Sequence, residues 1–258
     1  MPNQKDNNST FTTPWQAESL RATAFPSPDT QFDSKNWWAS VVGENPDTHV
    51  DNINIGVKET QGTFHGTKLS LKVHAARIDW TLTPNPQATD SPFSLLTLGS
   101  FEEKCADFCD LLKKWFPLSP SLSRLAFGTM VYLPAESKED SYDKLQAYLP
   151  TVTLDRNSSD FTYRINRPRE SKSGIEGLKI NRLSTWMAIR VEFGQFTVGP
   201  HGGVKGIPVA KPMDACRVEL DINTAQEYEG QIASDQSLKV FIELVELTRE
   251  ILREGDRP

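Results

Sequence analysis

The plainest alternation of apolar and polar positions in this chain runs through TKLSLKVHAARIDWTLTP, residues 67 to 84. Leu69, Leu71 and Val73 alternate with Ser70, Lys72 and His74, and then Ile78, Trp80 and Leu82 alternate with Arg77, Asp79 and Thr81. A period of two gives each half one buried face. With Ala75-Ala76 as the turn, Val73 faces Ile78, Leu71 faces Trp80 and Lys72 faces Asp79, three compatible cross-strand pairs. Alanine resists the positive φ of a tight two-residue turn, so a longer loop or a bulge is the alternative. Further strands are predicted at 15 to 26, stopped by Pro26 and Pro28, and at 52 to 59, 123 to 134 and 159 to 166. A long strand is predicted over 179 to 198, with Met187, Ile189, Val191 and Phe193 on one face until Gly194 shifts the phase. In CRVELDIN, 216 to 223, Cys216, Val218, Leu220 and Ile222 point inward, and Arg217, Glu219 and Asp221 point outward.

A helical period replaces this alternation twice over long stretches. In GSFEEKCADFCDLLKKWFP, 99 to 117, Phe101, Cys105, Phe108, Leu112, Trp115 and Phe116 form one stripe. Ser100 is placed to cap its start, with Glu103 completing a capping box, and Pro117 ends it. The closing helix runs from about 234 to 253, with Leu238, Phe241, Ile242, Val245, Ile251 and Leu252 on its apolar side and Gly255 just beyond. Short helices are predicted at 36 to 47 and 141 to 149. Strands outnumber helices and short turns join neighbours. The expected class is therefore α+β: a twisted, mostly antiparallel sheet with the two long helices, about 100–116 and 234–253, packed on one face. Residues 1–14 read as a disordered lead-in, and 15–258 as a single domain with room for two sub-lobes meeting near 134–160.

Composition narrows the range of functions. The chain has 258 residues, 24% of them charged, and a net charge of -6. An acidic balance argues against a dedicated nucleic-acid surface. Arg164, Arg167, Arg169 and Lys172 form the one basic cluster, which reads most simply as a solvated, proline-broken loop. Three cysteines make no disulfide framework, and Cys105 and Cys109 have no further ligand beside them to complete a zinc set. No apolar run approaches the roughly 18 residues of a membrane span. The chain reads as cytoplasmic, with reduced thiols.

The candidate chemistry is sparse. FTVGPHGGVKGIPV, 196 to 209, holds a histidine, a lysine and four glycines between two strands. A phosphate-binding loop needs Gly-Lys-Ser/Thr leading into a helix, and here Ile-Pro follows instead. The segment reads as a wide connection, with His201, Gly202, Gly203 and Lys205 as candidate ligand residues. FHGTKL, 64 to 69, matches half of a paired His-x-Thr phosphoesterase signature, and EEK, 102 to 104, matches the end of a nuclease motif but sits at a helix start. Asp79, Glu192, Glu219 and Asp221 are strand carboxylates that read as a solvated sheet face. No catalytic residue, metal ligand or cofactor is assigned.

The order RIDWTLTP, capped helix, SRLAFGTMVYLP, then STWMAIRVEF, LDIN and a last helix resembles a sporadically distributed, functionally uncharacterised bacterial α+β family of about this length. Arg124 matches that family's Arg-led strand, while MVYL departs from its usual aromatic-Asn ending. Leu220, Asp221, Ile222 and Asn223 match an acidic strand before the last helix, with Asn in its second acidic place. The likeness covers roughly 68–133 and 185–253, implies the fold, and carries over no activity. The function expected is that of a non-catalytic accessory protein binding another protein of its own bacterial system, with Trp37 and Trp38 as exposed contact residues. The alternative is an enzyme or small-ligand binder with a dispersed site around 199–214.

Overall fold

The computed structural model describes residues 14–28, 30–86, 95–198 and 204–257. In chain order its elements are β1 (Gln16–Pro26), α1 (Trp37–Val42), β2 (Thr48–Asn52), β3 (Val57–Phe64), β4 (Thr67–His74), β5 (Arg77–Thr83) and β6 (Gly99–Ser100). Then follow α2 (Phe101–Trp115), β7 (Leu122–Ala135), α3 (Lys138–Tyr148), β8 (Phe161–Asn166), β9 (Arg169–Glu170) and β10 (Lys179–Val191). The last are β11 (Gly194–Val198), β12 (Val204–Pro208), β13 (Met213–Thr224) and α4 (Ser234–Glu254). Eleven strands form one open sheet in the order β2-β3-β4-β5-β1-β7-β13-β10-β8, with β6 beside β1 and β9 beside β10. Every pairing is antiparallel, and β11 and β12 form a separate two-stranded ribbon. The class is α+β, with four helices among the described residues.

The β4–β5 hairpin adopts the register the alternation implies: Val73 opposite Ile78, Leu71 opposite Trp80, Lys72 opposite Asp79. Ala75 and Ala76 do form its two-residue turn, without positive φ. His74 Nδ1 instead accepts the Ala76 N–H at 3.2 Å. The left-handed turn lies one hairpin earlier, where His65 and Gly66 have φ of 47° and 76° between β3 and β4. FHGTKL is thus a hairpin turn, and its exposed His65 lies 3.4 Å from Asp107. The strand expected at 52 to 59 is two strands. Residues 53–56 make the turn between them, and Gly56 supplies the left-handed φ of 63°.

One sheet face builds the core. Leu69, Trp80, Ala22, Phe127, Ile222 and Trp186 lie on it and are all buried. Trp115 of α2 meets Trp80 edge-on at 6.3 Å, and Phe241 of α4 meets Phe127 edge-on at 5.7 Å. Such aromatic pairs add to the burial of their area. The α2 stripe from Phe101 to Phe116 is buried throughout. Ser100, expected to cap α2, makes no side-chain cap bond. It is held in β6 against Gln16, and the Phe101 N–H donates to the Trp15 carbonyl at 2.8 Å, so the residue just ahead of β1 supplies the missing acceptor. On β10 the core side is Ile180, Arg182, Ser184 and Trp186, whereas Met187, Ile189 and Val191 are half-buried. There the polar core positions find partners, as Ser184 Oγ accepts the Trp186 indole N–H at 3.0 Å.

In the basic cluster Arg164 and Lys172 are exposed, whereas Arg167 and Arg169 are committed to carboxylates. Arg167 grips Asp256 through Nε and Nη2 at 2.5 and 2.9 Å, and Arg169 pairs with Glu250 at 2.8 Å. Both link the segment after β8 to α4 and the residues just beyond it. Gly255, at φ 78°, sends the chain back so that the Asp256 N–H reaches the Tyr148 carbonyl at 2.9 Å. A Cβ at Gly255 would collide with that carbonyl.

Candidate functional site

Trp37 and Trp38 were expected on the surface, and both are buried. Six residues are too few for a helix to stand alone, so α1 is held by its tryptophans. Trp37 stacks on Phe32 at 5.4 Å and meets Trp115 edge-on at 5.7 Å. Trp38 stacks over Trp80 at 6.2 Å and donates its indole N–H to the Glu44 carbonyl at 3.0 Å. It can lie so close to β3 because position 62 is glycine. A Cβ there would stand 2.8 Å from the indole. One edge of Trp38 still lines a cavity of about 490 Å³.

That cavity is the start of a groove. His49 and Asp51 of β2, Lys58 and Thr60 of β3, and Trp38 line its first part. His49 Nδ1 lies 2.9 Å from Thr60 Oγ1, and Asp51 lies 3.9 Å from Lys58 Nζ. A second cavity of about 420 Å³ shares Ser34, Lys58 and Val73 with the first. A third of about 650 Å³ shares Thr30, Gln31 and Ala75 with the second. The groove therefore follows the segment before α1, past β3 and β4, to the ends of β1 and β7.

The groove begins at a terminal strand of the sheet. β2 ends the strand order, and all five of its residues are exposed. The β2–β3 hairpin presents Val50, Ile53 and Ile55 at 59%, 85% and 60% exposure. Edge strands usually carry charge, proline or a bulge to prevent pairing with other chains. Apolar residues exposed on one hairpin make it a candidate interaction site. His49 and Asp51 share one side of β2, facing the first cavity, while Val50 points to the other.

The remaining candidates lead elsewhere. Asp79 is occupied, accepting from Thr23 Oγ1 at 2.6 Å and from Arg77 at 2.7 and 2.9 Å. Those bonds and the nearby Asp221 raise the Arg77 pKa further. Asp221 accepts from Asn223 at 3.1 Å, and Glu192 lies 3.8 Å from Arg190. Asp79, Asp221 and Glu192 are each committed to such a neighbour. Among the described residues no group of three His, Cys, Asp or Glu side chains could hold a metal ion. Cys105, Cys109 and Cys216 are free and buried. The hydrogen bond that its S–H donates to Cys109, together with burial, holds the Cys105 thiol protonated far above its ordinary range. His201, Gly202 and Gly203 lie outside the described residues. Lys205 falls on β12 opposite Thr197, so the glycine-rich segment connects two paired strands. No helix among the described residues is long and apolar enough to cross a membrane. No family model, curated protein or solved structure matches this chain.

The sequence reading missed His49, Asp51 and the edge they sit on. The available signal was THVDNINIG, in which Val50, Ile53 and Ile55 recur through a stretch that also carries turn-forming Asn and Gly.

Proposed function

We propose that this is a non-catalytic interaction protein that binds another polypeptide of its own bacterial system. The partner adds an extended segment to the free edge of β2. Main-chain hydrogen bonds along the edge supply affinity, and alternate side chains of the added strand fall over the cavity beside His49 and Asp51. The observation that carries this proposal is the edge itself, five exposed residues, Val50 among them, followed by the exposed Ile53 and Ile55. In the same proposal α2 and α4 form the layer that covers one sheet face. The likeness to the uncharacterised bacterial family supports that architecture and names no partner. The three buried thiols fit a chain working in the reducing cytoplasm.

Affinity capture with the full chain as bait, followed by co-purification of the recombinant pair, tests the role. Val50→Lys with Ile53→Asp changes only exposed positions and leaves the fold intact. A partner that co-purifies with the wild type and is lost from this variant supports the proposal. Capture that is equal with both chains, or the lack of any co-purifying partner, overturns it.

A further inference from the structure

The far end of the groove has a chemistry that strand addition at β2 does not use. Ser27 is 2% exposed and lines the third cavity. Its backbone is committed: its N–H donates to the Ser121 carbonyl at 2.9 Å, and its carbonyl accepts from Thr30 at 3.2 Å. Its hydroxyl has no hydrogen-bond partner among the described residues. Arg124 lines the same cavity, and its Nε is buried and likewise without a partner. Two buried donors left unused on one cavity wall are uncommon, because each loses its hydration and regains nothing.

The neighbouring groups define what would satisfy them. Arg124 sits opposite Phe25 in the β1–β7 register, with its guanidinium 5.1 Å from the centre of the Phe25 ring. Arg77 lies 5.9 Å from the same ring but is already neutralised by its two bonds to Asp79. Among the described residues no carboxylate pairs with Arg124, and one guanidinium matches a single negative charge better than a dianion. A planar carboxylate offers two acceptor oxygens for two donors of this kind. Phe25, Pro26, Pro28 and the Ala75-Ala76 turn make the rest of the wall largely apolar. We propose that the cavity between Phe25–Pro28, the β4–β5 turn and Arg124 binds a monocarboxylate that carries an apolar group. Arg124 and Ser27 hold the carboxylate, and the apolar group packs on Phe25 and the prolines. The site stands whether or not a partner occupies β2.

Calorimetric titration of the full chain with N-acetyl-L-leucine, its neutral amide and inorganic phosphate tests this. The acid should bind, with the amide and phosphate at least about tenfold weaker. A pentapeptide ending in leucine, free or amidated, distinguishes the two sources of the group. Tighter binding of the free peptide than of the acid assigns the site to a polypeptide C-terminus, and the reverse assigns it to a small acid. Arg124→Gln and Arg124→Lys should each weaken acid binding about tenfold or more, since neither keeps the planar guanidinium fork, and Ser27→Ala should weaken it several-fold. Ser27→Ala keeps the test valid if the Arg124 variants fail to fold. Asp29 lies outside the described residues, and Asp29→Asn asks whether its carboxylate competes with the acid for Arg124. Equal binding of acid and amide, no binding of the acid, indifference to both Arg124→Gln and Ser27→Ala, or acid binding only in Asp29→Asn would overturn the proposal.

Discussion

Asp256→Ala should be among the most destabilising single changes outside the hydrophobic core. Asp256 is 4% exposed and accepts three side-chain bonds: from Arg167 Nε at 2.5 Å, Arg167 Nη2 at 2.9 Å and Tyr163 Oη at 3.1 Å. Removing one member of a buried ion pair costs about 3–5 kcal/mol, because the other charge stays desolvated. Here the stranded charge is Arg167, whose side chain retains 26% exposure. Water can reach it, which moves the cost toward the small values of exposed pairs. Tyr163 also loses a charged acceptor, a bond of about 1.5 kcal/mol. The expected net loss is about 2–4 kcal/mol, a large share of the 5–15 kcal/mol that stabilises a typical domain.

The reciprocal change, Arg167→Met, leaves the carboxylate rather than the guanidinium behind. The carboxylate is the more deeply buried partner, so this variant should lose more, about 3–5 kcal/mol. The double variant Arg167→Met with Asp256→Leu strands neither charge and should be more stable than either single variant. Urea unfolding followed by far-ultraviolet circular dichroism gives the full cycle. A coupling energy of at least about 1.5 kcal/mol is expected, reduced but not abolished in 1 M salt because only the Arg167 side of the pair meets water. Coupling below about 0.5 kcal/mol, or coupling that salt abolishes, would show that the residues beyond α4 are held by packing and not by this pair.

Three further changes probe separate parts of the fold. Leu112→Ala removes a fully buried side chain from the α2 stripe and should cost about 2–5 kcal/mol in denaturant melts, while a loss under about 0.5 kcal/mol would place that face in solvent. Gly255→Ala requires both a left-handed alanine and displacement of the Tyr148 carbonyl, so a loss above about 2 kcal/mol is expected, and a melt indistinguishable from wild type would remove the reason for glycine there. The Cys216 thiol, buried and donating to the Ser141 carbonyl at 2.9 Å, has its pKa pushed up from 9.0 to about 12. A raised thiol pKa means the folded chain keeps its proton longer than the unfolded one. The stabilising effect is thus complete below pH 9 and falls away as pH rises toward 12, by about 1.4 kcal/mol per pH unit. Cys216→Ala should flatten that alkaline limb relative to wild type, and an equally steep limb in both proteins would assign it to other groups.

What was legible in the sequence followed local periodicity. The β4–β5 register, the α2 stripe and the inward side of β13 each depend on spacing within a single stretch, which one chain displays directly. What failed depended on a neighbour. The Ser100 capping box fails because the helix start meets the Trp15 carbonyl, just ahead of β1, instead. Met187, Ile189 and Val191 form the more apolar stripe of β10, yet the core side takes Arg182, Ser184 and Trp186. There Arg182 reaches Glu250 on α4 at 3.0 Å, a partner no strand pattern reveals. The basic cluster around Arg167 misled for the same reason, since its carboxylates lie far ahead on α4 and just beyond it.

The candidate site shows this dependence most strongly, because an edge is a property of strand order rather than of a strand. Nothing in THVDN distinguishes a terminal strand from an inner one. β2 becomes terminal because β1 inserts between β5 and β7, and the sheet then runs out to β2 through successive hairpins. The same insertion creates the carboxylate site. Pairing β1 with β7 brings Phe25 opposite Arg124 and sets Ser27 beside them, although neither segment carries a motif of its own. One topological step therefore places a bare edge at one end of the groove and two uncommitted donors at the other. A partner whose added strand ran along β2 and whose C-terminus reached Arg124 would use both ends. Amidating that terminus should weaken its binding while leaving the contact with Ile53 intact. Loss of both together would mean that the edge and the cavity recognise one feature of the partner, not two.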